Sequence, residues 1–140
     1  MRPQRRLLAG FTLAPLLPLA LYARSEHGFN PIAFLQGLPW AYALGLAAGV
    51  PAWLLLRRLR RLQLAPVALL GTAAITLVGT LHQAWDLRRA VWVRQGRSDL
   101  VIDGQLTAEG FAALAQHAGQ LAWLGLLGAL AWWLIARAGR

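Results

Sequence analysis

Residues 65–79 read APVALLGTAAITLVG, and residues 121–136 read LAWLGLLGALAWWLIA. Neither stretch supplies the polar residue at every third or fourth position that a helix needs to wet one face in water. A helix rises about 1.5 Å per residue, so roughly 20 apolar residues carry it across the hydrocarbon layer of a bilayer. Working outward from these two stretches, the chain shows four runs free of Asp, Glu, Arg and Lys: 7–23, 28–56, 62–85 and 110–136. Each contains an apolar stretch of about bilayer length. The expectation is an all-α integral membrane protein, a four-transmembrane-helix bundle with a small extracytoplasmic loop between the third and fourth helices. The spans fall at about 7–23, 40–56, 65–85 and 118–136, with an outer excursion over 86–117, and all 140 residues form one polytopic membrane domain.

Composition points the same way. Hydrophobic residues make up 58% of the chain and charged residues only 14%, and the charges are segregated between the apolar runs. The chain has no cysteine, which excludes disulfides, thiolate metal sites and thiol catalysis.

Arginine placement sets the expected orientation. One side of the membrane collects Arg2, Arg5, Arg6, Arg57, Arg58, Arg60, Arg61, Arg137 and Arg140, nine in all. The other side holds Arg24, Arg88, Arg89, Arg94 and Arg97, together with all five acids: Glu26, Asp86, Asp99, Asp103 and Glu109. The formal net charge of +9 therefore belongs to the arginine-rich side, which the positive-inside rule makes cytoplasmic. Anionic lipid headgroups attract that face, with Arg57, Arg58, Arg60 and Arg61 as headgroup anchors. This predicts a multi-pass protein of a bacterial inner (cytoplasmic) membrane with both termini in the cytoplasm. The start, MRPQRRLLAGFTLAPLLPLALYA, resembles a signal peptide in its basic opening and apolar centre. Cleavage after Ala23 would put Leu21 where a small residue is required, so a retained helix kinked by Pro15 and Pro18 is expected.

PIAFLQGLPW, residues 31–40, mixes apolar residues with Gly37 and Pro39 and suggests a re-entrant or surface-lying stretch, with Trp40 as an interfacial aromatic. The link after RRLRR is short, so the second and third helices should form an antiparallel hairpin. In the outer excursion, short β-favouring runs at 90–93 and 100–102 flank RQGRSD, and Asp103-Gly104 signals a turn, which together suggest a small hairpin. Thr107 is a candidate N-cap with Glu109 in the first turn, so the fourth helix is expected to start outside the membrane and run unbroken to Arg137.

Small residues recur at every fourth position along the third helix: Ala68, Thr72, Thr76, Thr80 and Ala84. Gly45 and Gly49 repeat the spacing on the second helix, and Gly125 with Ala129 on the fourth. Such residues let helix backbones approach closely in lipid, either as seams within the bundle or as a docking face for another membrane protein. The helix-packing candidates are Gly45, Gly49, Thr72, Thr76, Thr80 and Gly125.

His27, His82 and His117 all fall on the outer side. His82 and Asp86 are four apart and share a helix face. With His27 they are the candidates for a metal site, and His82 with His117 could give two axial ligands to a haem. The bland alternative is that these are interfacial residues, with Asp86 paired to Arg89. Arg88, Arg89 and Arg94 beside Trp85 and Trp92 could instead hold a phosphate or carboxylate headgroup, with His82 or Asp86 as acid or base. No spacing here is diagnostic of a ligand set, so no cofactor and no catalytic residue is assigned. No Asp, Glu, Arg or Lys lies within a span, which disfavours ion-coupled transport by this chain.

The function expected from these features is non-enzymatic: protein–protein contact within the membrane, as an accessory or assembly subunit or an immunity-type inhibitor. The partners would be membrane lipids and another membrane protein or a second copy, and not nucleic acid. The alternative is a cofactor-, metal- or lipid-binding membrane protein that uses the outer His/Asp/Arg/Trp cluster.

Overall fold

A computed structural model describes residues 3–25, 28–60 and 62–137. The described chain is mostly helical: α1 (Pro3–Leu13), α2 (Leu16–Tyr22), α3 (Pro31–Leu44), a π-helical turn (Gly45–Gly49), α4 (Val50–Arg58), α5 (Leu64–Arg89) and α6 (Ala108–Arg137). Two short antiparallel sheets complete it. β1 (Arg24–Ser25) pairs with β2 (Gly28–Phe29), and β3 (Val93–Gln95), β4 (Ser98–Ile102) and β5 (Gln105–Leu106) form a meander.

Among the described residues, three helical segments are long and apolar enough to cross a membrane: Pro31–Arg58, Leu64–Arg89 and Ala108–Arg137. Their surfaces favour lipid over water. Leu69 is 73% exposed and Leu77 62%, and among the described residues no polar or charged residue is buried. A soluble protein would invert that arrangement.

The N-terminal helix is shorter than the sequence suggests. Pro15 and Pro18 divide it into α1 and α2, with a turn at Ala14–Pro15, because proline lacks the N–H and crowds the preceding turn. Its apolar part, Leu7–Tyr22, falls below the 18 residues that qualify the other three as spans.

The second helix is longer than expected. Residues 31–40 are not re-entrant: they are the opening turns of α3. Asn30 caps α3, its side chain accepting from the N–H groups of Ile32 and Ala33 at 3.0 and 3.1 Å, and Pro31 sits where a missing N–H costs nothing. The rod continues through Pro39 to Arg58. Pro51 would clash with the carbonyl four residues before it, and the π turn just ahead, at Gly45–Gly49, widens the backbone there.

The rods pack as a ring. The α1/α2 pair lies against α6, α6 against α5, and α5 against the α3–α4 rod, which closes back on α2. Tyr42 Oη on α3 donates to the Thr12 carbonyl of α1 at 2.6 Å, and the rings of Phe11 and Trp53 meet edge to face at 6.0 Å. Between α4 and α5, Arg60 takes a left-handed conformation (φ 54°) in the short link. At the α4 end, Leu56, Val67 and Ala129 form a buried cluster joining α4, α5 and α6.

Between α5 and α6, residues 93–106 fold as the three-stranded meander, one strand more than a hairpin, and the rest of the expected excursion, 86–89 and 108–117, belongs to the two helices. Gly96 and Gly104 take the positive φ their turns require, with Asp103 beside Gly104 also at φ 50°. Leu100 and Val101 of β4 pack with Leu87 of α5 beneath Leu106, Ala113 and Leu114, which fixes the lobe between the α5 and α6 ends. Thr107 caps α6. Its hydroxyl accepts from Gly110 N–H at 3.0 Å and donates to the Asp99 carbonyl at 2.6 Å. Along α6, Leu121 is buried, Leu114 rests on the lobe and Phe111 is exposed.

Candidate functional site

Among the helices lies a half-open cavity of 790 Å³, within the roughly 300–1,000 Å³ of small-molecule sites. Every rod contributes to its wall, and the small residues Ala14, Gly45, Gly71, Gly79 and Gly128 leave the space between them. Gly79 and Gly71 also bring α5 close to α6: an added Cβ would lie 2.5 Å from Leu121 Cδ1 at Gly79, and 2.9 Å from Ala129 Cβ at Gly71.

The two ends of the cavity differ in chemistry. Toward the α4 end the wall is Phe11, Trp53, Leu56, Val67 and Trp132, with the Phe11 and Trp132 rings 5.7 Å apart. Arg57 lies over the Trp53 ring at 5.4 Å, so aromatic packing separates its guanidinium from the apolar interior. At the opposite end, near the β lobe, the lining turns polar: Gln36 on α3, His82, Gln83 and Asp86 on α5, and His117 and Gln120 on α6. These residues converge because α3 begins, α5 ends and α6 begins on that side.

His82 is the best-defined member of this group. Its Nδ1 is 3.2 Å from an Asp86 carboxylate oxygen, one turn further along α5. Trp40 of α3 meets the imidazole edge-on, the ring centres 5.0 Å apart. The carboxylate and the indole thus fix the ring from two sides. His117 borders the same cavity.

The pairings expected from sequence are partly redrawn. Asp86 pairs with His82 and not with Arg89, whose guanidinium lies 4.7 Å above the Trp85 ring. Arg94 faces Asp99 across the β3–β4 pair at 3.7 Å, an ion pair too long for a hydrogen bond. Arg88, Arg89 and Arg94 are exposed, and none of them lines the cavity. His27 lies outside the described residues; among those described, no group of three or more His, Asp or Glu is placed to hold a metal ion.

Of the packing candidates, Gly125 sits against Thr72 and Ile75, so α5 and α6 meet closely there. Gly45 and Gly49 lie in the π turn, near Pro15 and Phe11. The hydroxyls of Thr72, Thr76 and Thr80 are buried without a hydrogen-bond partner among the described residues. Thr72 and Thr76 also border a shallow groove with Ala68, Leu69, Ala73, Leu77 and Leu126. Arg57, Arg58 and Arg60 are exposed around the α4–α5 link, and Arg61 lies outside the described residues.

Sequence reasoning missed Gln36, Gln83, Gln120 and the cavity itself. The available signal was polarity: these are glutamines inside otherwise apolar runs, close to the span ends that carry the histidines. Comparison with protein families, with characterised proteins and with solved structures finds no match for this chain.

Proposed function

We propose that this chain is a membrane-embedded binding protein that holds one amphipathic small molecule in the cavity among its helices. The reading rests on one observation: a cavity of 790 Å³ that is aromatic and aliphatic at one end and lined by Gln36, His82, Gln83, Asp86, His117 and Gln120 at the other. A largely apolar cleft or cavity with a few converging polar groups is the usual form of a small-molecule site. A tail would lie against Phe11, Trp53 and Trp132, and a polar head would meet His82 and its neighbours.

In this proposal α1 and α2 cross the membrane together with the three longer segments, giving a four-span protein. The arginines at 57–61 and Arg137 face the cytoplasm with both chain ends, and the β lobe stands outside. A bacterial inner membrane is the setting that the positive-inside distribution fits.

The test is extraction of the protein, purified in a mild detergent, with organic solvent, followed by mass spectrometry of the extract. One amphipathic molecule per chain is expected, lost in Gly128→Leu, which projects into the cavity beside Pro18. An extract holding only detergent and bulk lipid in membrane proportions would sink the reading.

The second reading is contact with another membrane protein, as an accessory or assembly subunit or an immunity-type inhibitor. The groove beside Thr72 and Thr76, whose hydroxyls lack partners, favours it. Thr76→Leu should then abolish co-purification of a stoichiometric partner while leaving a cavity ligand in place.

A further inference from the structure

We infer, building on the cavity reading above, that the molecule held there is a lipid with an uncharged hydroxyl head, and that phosphate- and carboxylate-headed lipids are excluded. Three observations lead to this. The first is what the polar end contains. Beside Tyr22 and Trp40, its side chains are three glutamines, two histidines and Asp86. Glutamine and neutral imidazole both donate and accept, so they suit a hydroxyl, which also does both.

The second observation is which charges are kept away. Anionic headgroups are recognised by arginine or lysine, through charge-assisted and often bidentate hydrogen bonds. Among the described residues no arginine lines the cavity. Of the arginines that follow Asp86, Arg88 is exposed and off the cavity wall, Arg89 lies over the Trp85 ring and Arg94 faces Asp99. Among the described residues the one charged side chain on the wall is Asp86, which repels a phosphate or carboxylate.

The third observation is how Asp86 is used. Its carboxylate is 3.2 Å from His82 Nδ1. A neutral imidazole that donates its Nδ1–H to Asp86 presents Nε2 as a bare acceptor. Trp40, edge-on to the ring, holds that orientation. The acceptor calls for a donor on the ligand, and a hydroxyl supplies one where a phosphodiester or a carboxylate does not. A long-chain alcohol, a prenol and a monoacylglycerol all share the required chemistry.

Trp40, Trp53 and Trp132 line the cavity, so tryptophan fluorescence reports its occupancy. Three probes with the same brominated tail and a hydroxyl, a phosphate or a trimethylammonium head would be titrated into the purified full chain in neutral detergent. Competition by the unbrominated alcohol separates bound probe from probe in the micelle. The expected result is that the alcohol binds at least tenfold more tightly than the phosphate probe and more tightly than the trimethylammonium probe, which carries no N–H or O–H to donate. His82→Ala should weaken the alcohol several-fold, the loss of one hydrogen bond. Asp86→Asn should bring the phosphate probe to within a few-fold of the alcohol. A brominated prenol and a brominated monoacylglycerol, compared in the same assay, distinguish the possible sources of the hydroxyl.

Equal binding of all three heads, or preference for a charged head, overturns the assignment and leaves the cavity reading standing. Absence of competable quenching by any probe overturns the cavity reading and this assignment with it. The head comparison is made on the unaltered protein, so neither result depends on a variant folding.

Discussion

Gly125 of α6 lies so close to α5 that a Cβ added to it would sit 3.3 Å from both the Thr72 Cα and the Ile75 Cβ. Backbone cannot yield there as the end of a flexible side chain can. Apolar tails solvate leucine as well as a neighbouring helix does, so close backbone approach supplies much of the drive for helix association.

Gly125→Leu should therefore destabilise the protein by about 1–3 kcal/mol, the usual penalty for overpacking a tight contact. Gly45→Leu should be milder in its effect on stability, since its Cβ would meet only Pro15 Cγ at 3.5 Å and the side chain enters the cavity. Thermal unfolding of the purified variants in detergent distinguishes the two. Equal melting temperatures would show that the α5–α6 contact is not the tighter one.

The apolar runs of the third and fourth helices were legible because a stretch without charge for 20 or more residues has few ways to fold except across a bilayer. Thr107 was legible as a cap because hydroxyl capping is local chemistry, set within four residues. The extent of α3 was not legible. Gly37 and Pro39 read as breakers, yet a proline is tolerated in a long apolar helix whose neighbours re-satisfy the freed backbone groups. The candidate site was half legible. His82 and Asp86 share a face by their spacing alone, but their union with Gln36, His117 and Gln120 depends on how the helices close into a ring, which no local pattern encodes.

The Thr107 hydroxyl joins the β lobe to α6 by accepting from Gly110 and donating to Asp99. Thr107→Val removes both bonds while keeping the shape. The expected cost is about 1 kcal/mol, reaching about 2 because the cap also holds β4. Hydrogen exchange should speed up across 98–106 and stay unchanged in the middle of α5. Uniform acceleration throughout the chain would mean that the cap does not act locally.

Gly110 is buried where α6 passes beneath β4, and a Cβ there would collide with the Leu100 carbonyl oxygen. That oxygen is not free to move, because it accepts from the Thr107 N–H at 3.0 Å. Gly110→Ala should thus lift the lobe off the helix ends and, by loosening the backbone around the already exposed Arg94 and Arg97, speed tryptic cleavage there. Unchanged tryptic resistance at those two arginines would contradict this packing.

The His82–Asp86 pair is half exposed on both sides, and such pairs add little to stability, typically below about 1 kcal/mol. His82→Ala should then leave the melting temperature of the ligand-free protein within about 4 °C of the parent while reducing retention of the cavity ligand. Loss of fold would instead make the imidazole structural, a wedge between α3 and α5 through Trp40.

Membrane orientation has an unusually clean test, because the chain contains no cysteine. A single cysteine at Gln95 lies at the β3 edge of the lobe, and one at Gln63 lies in the exposed α4–α5 link. If the arginines at 57–61 face the cytoplasm, a membrane-impermeant maleimide should label Gln95→Cys in intact cells and Gln63→Cys only after the membrane is opened. A third cysteine at Arg137, the last described residue of α6, should follow Gln63, since α5 and α6 run in opposite directions between the lobe and that side. Whether α1 and α2 also cross is read from the start of the chain: a cysteine at Gln4 should be protected in intact cells together with Gln63. Labelling of Gln4 from outside, with Gln63 still protected, would mean that the Pro15–Pro18 break leaves this segment short of a full crossing.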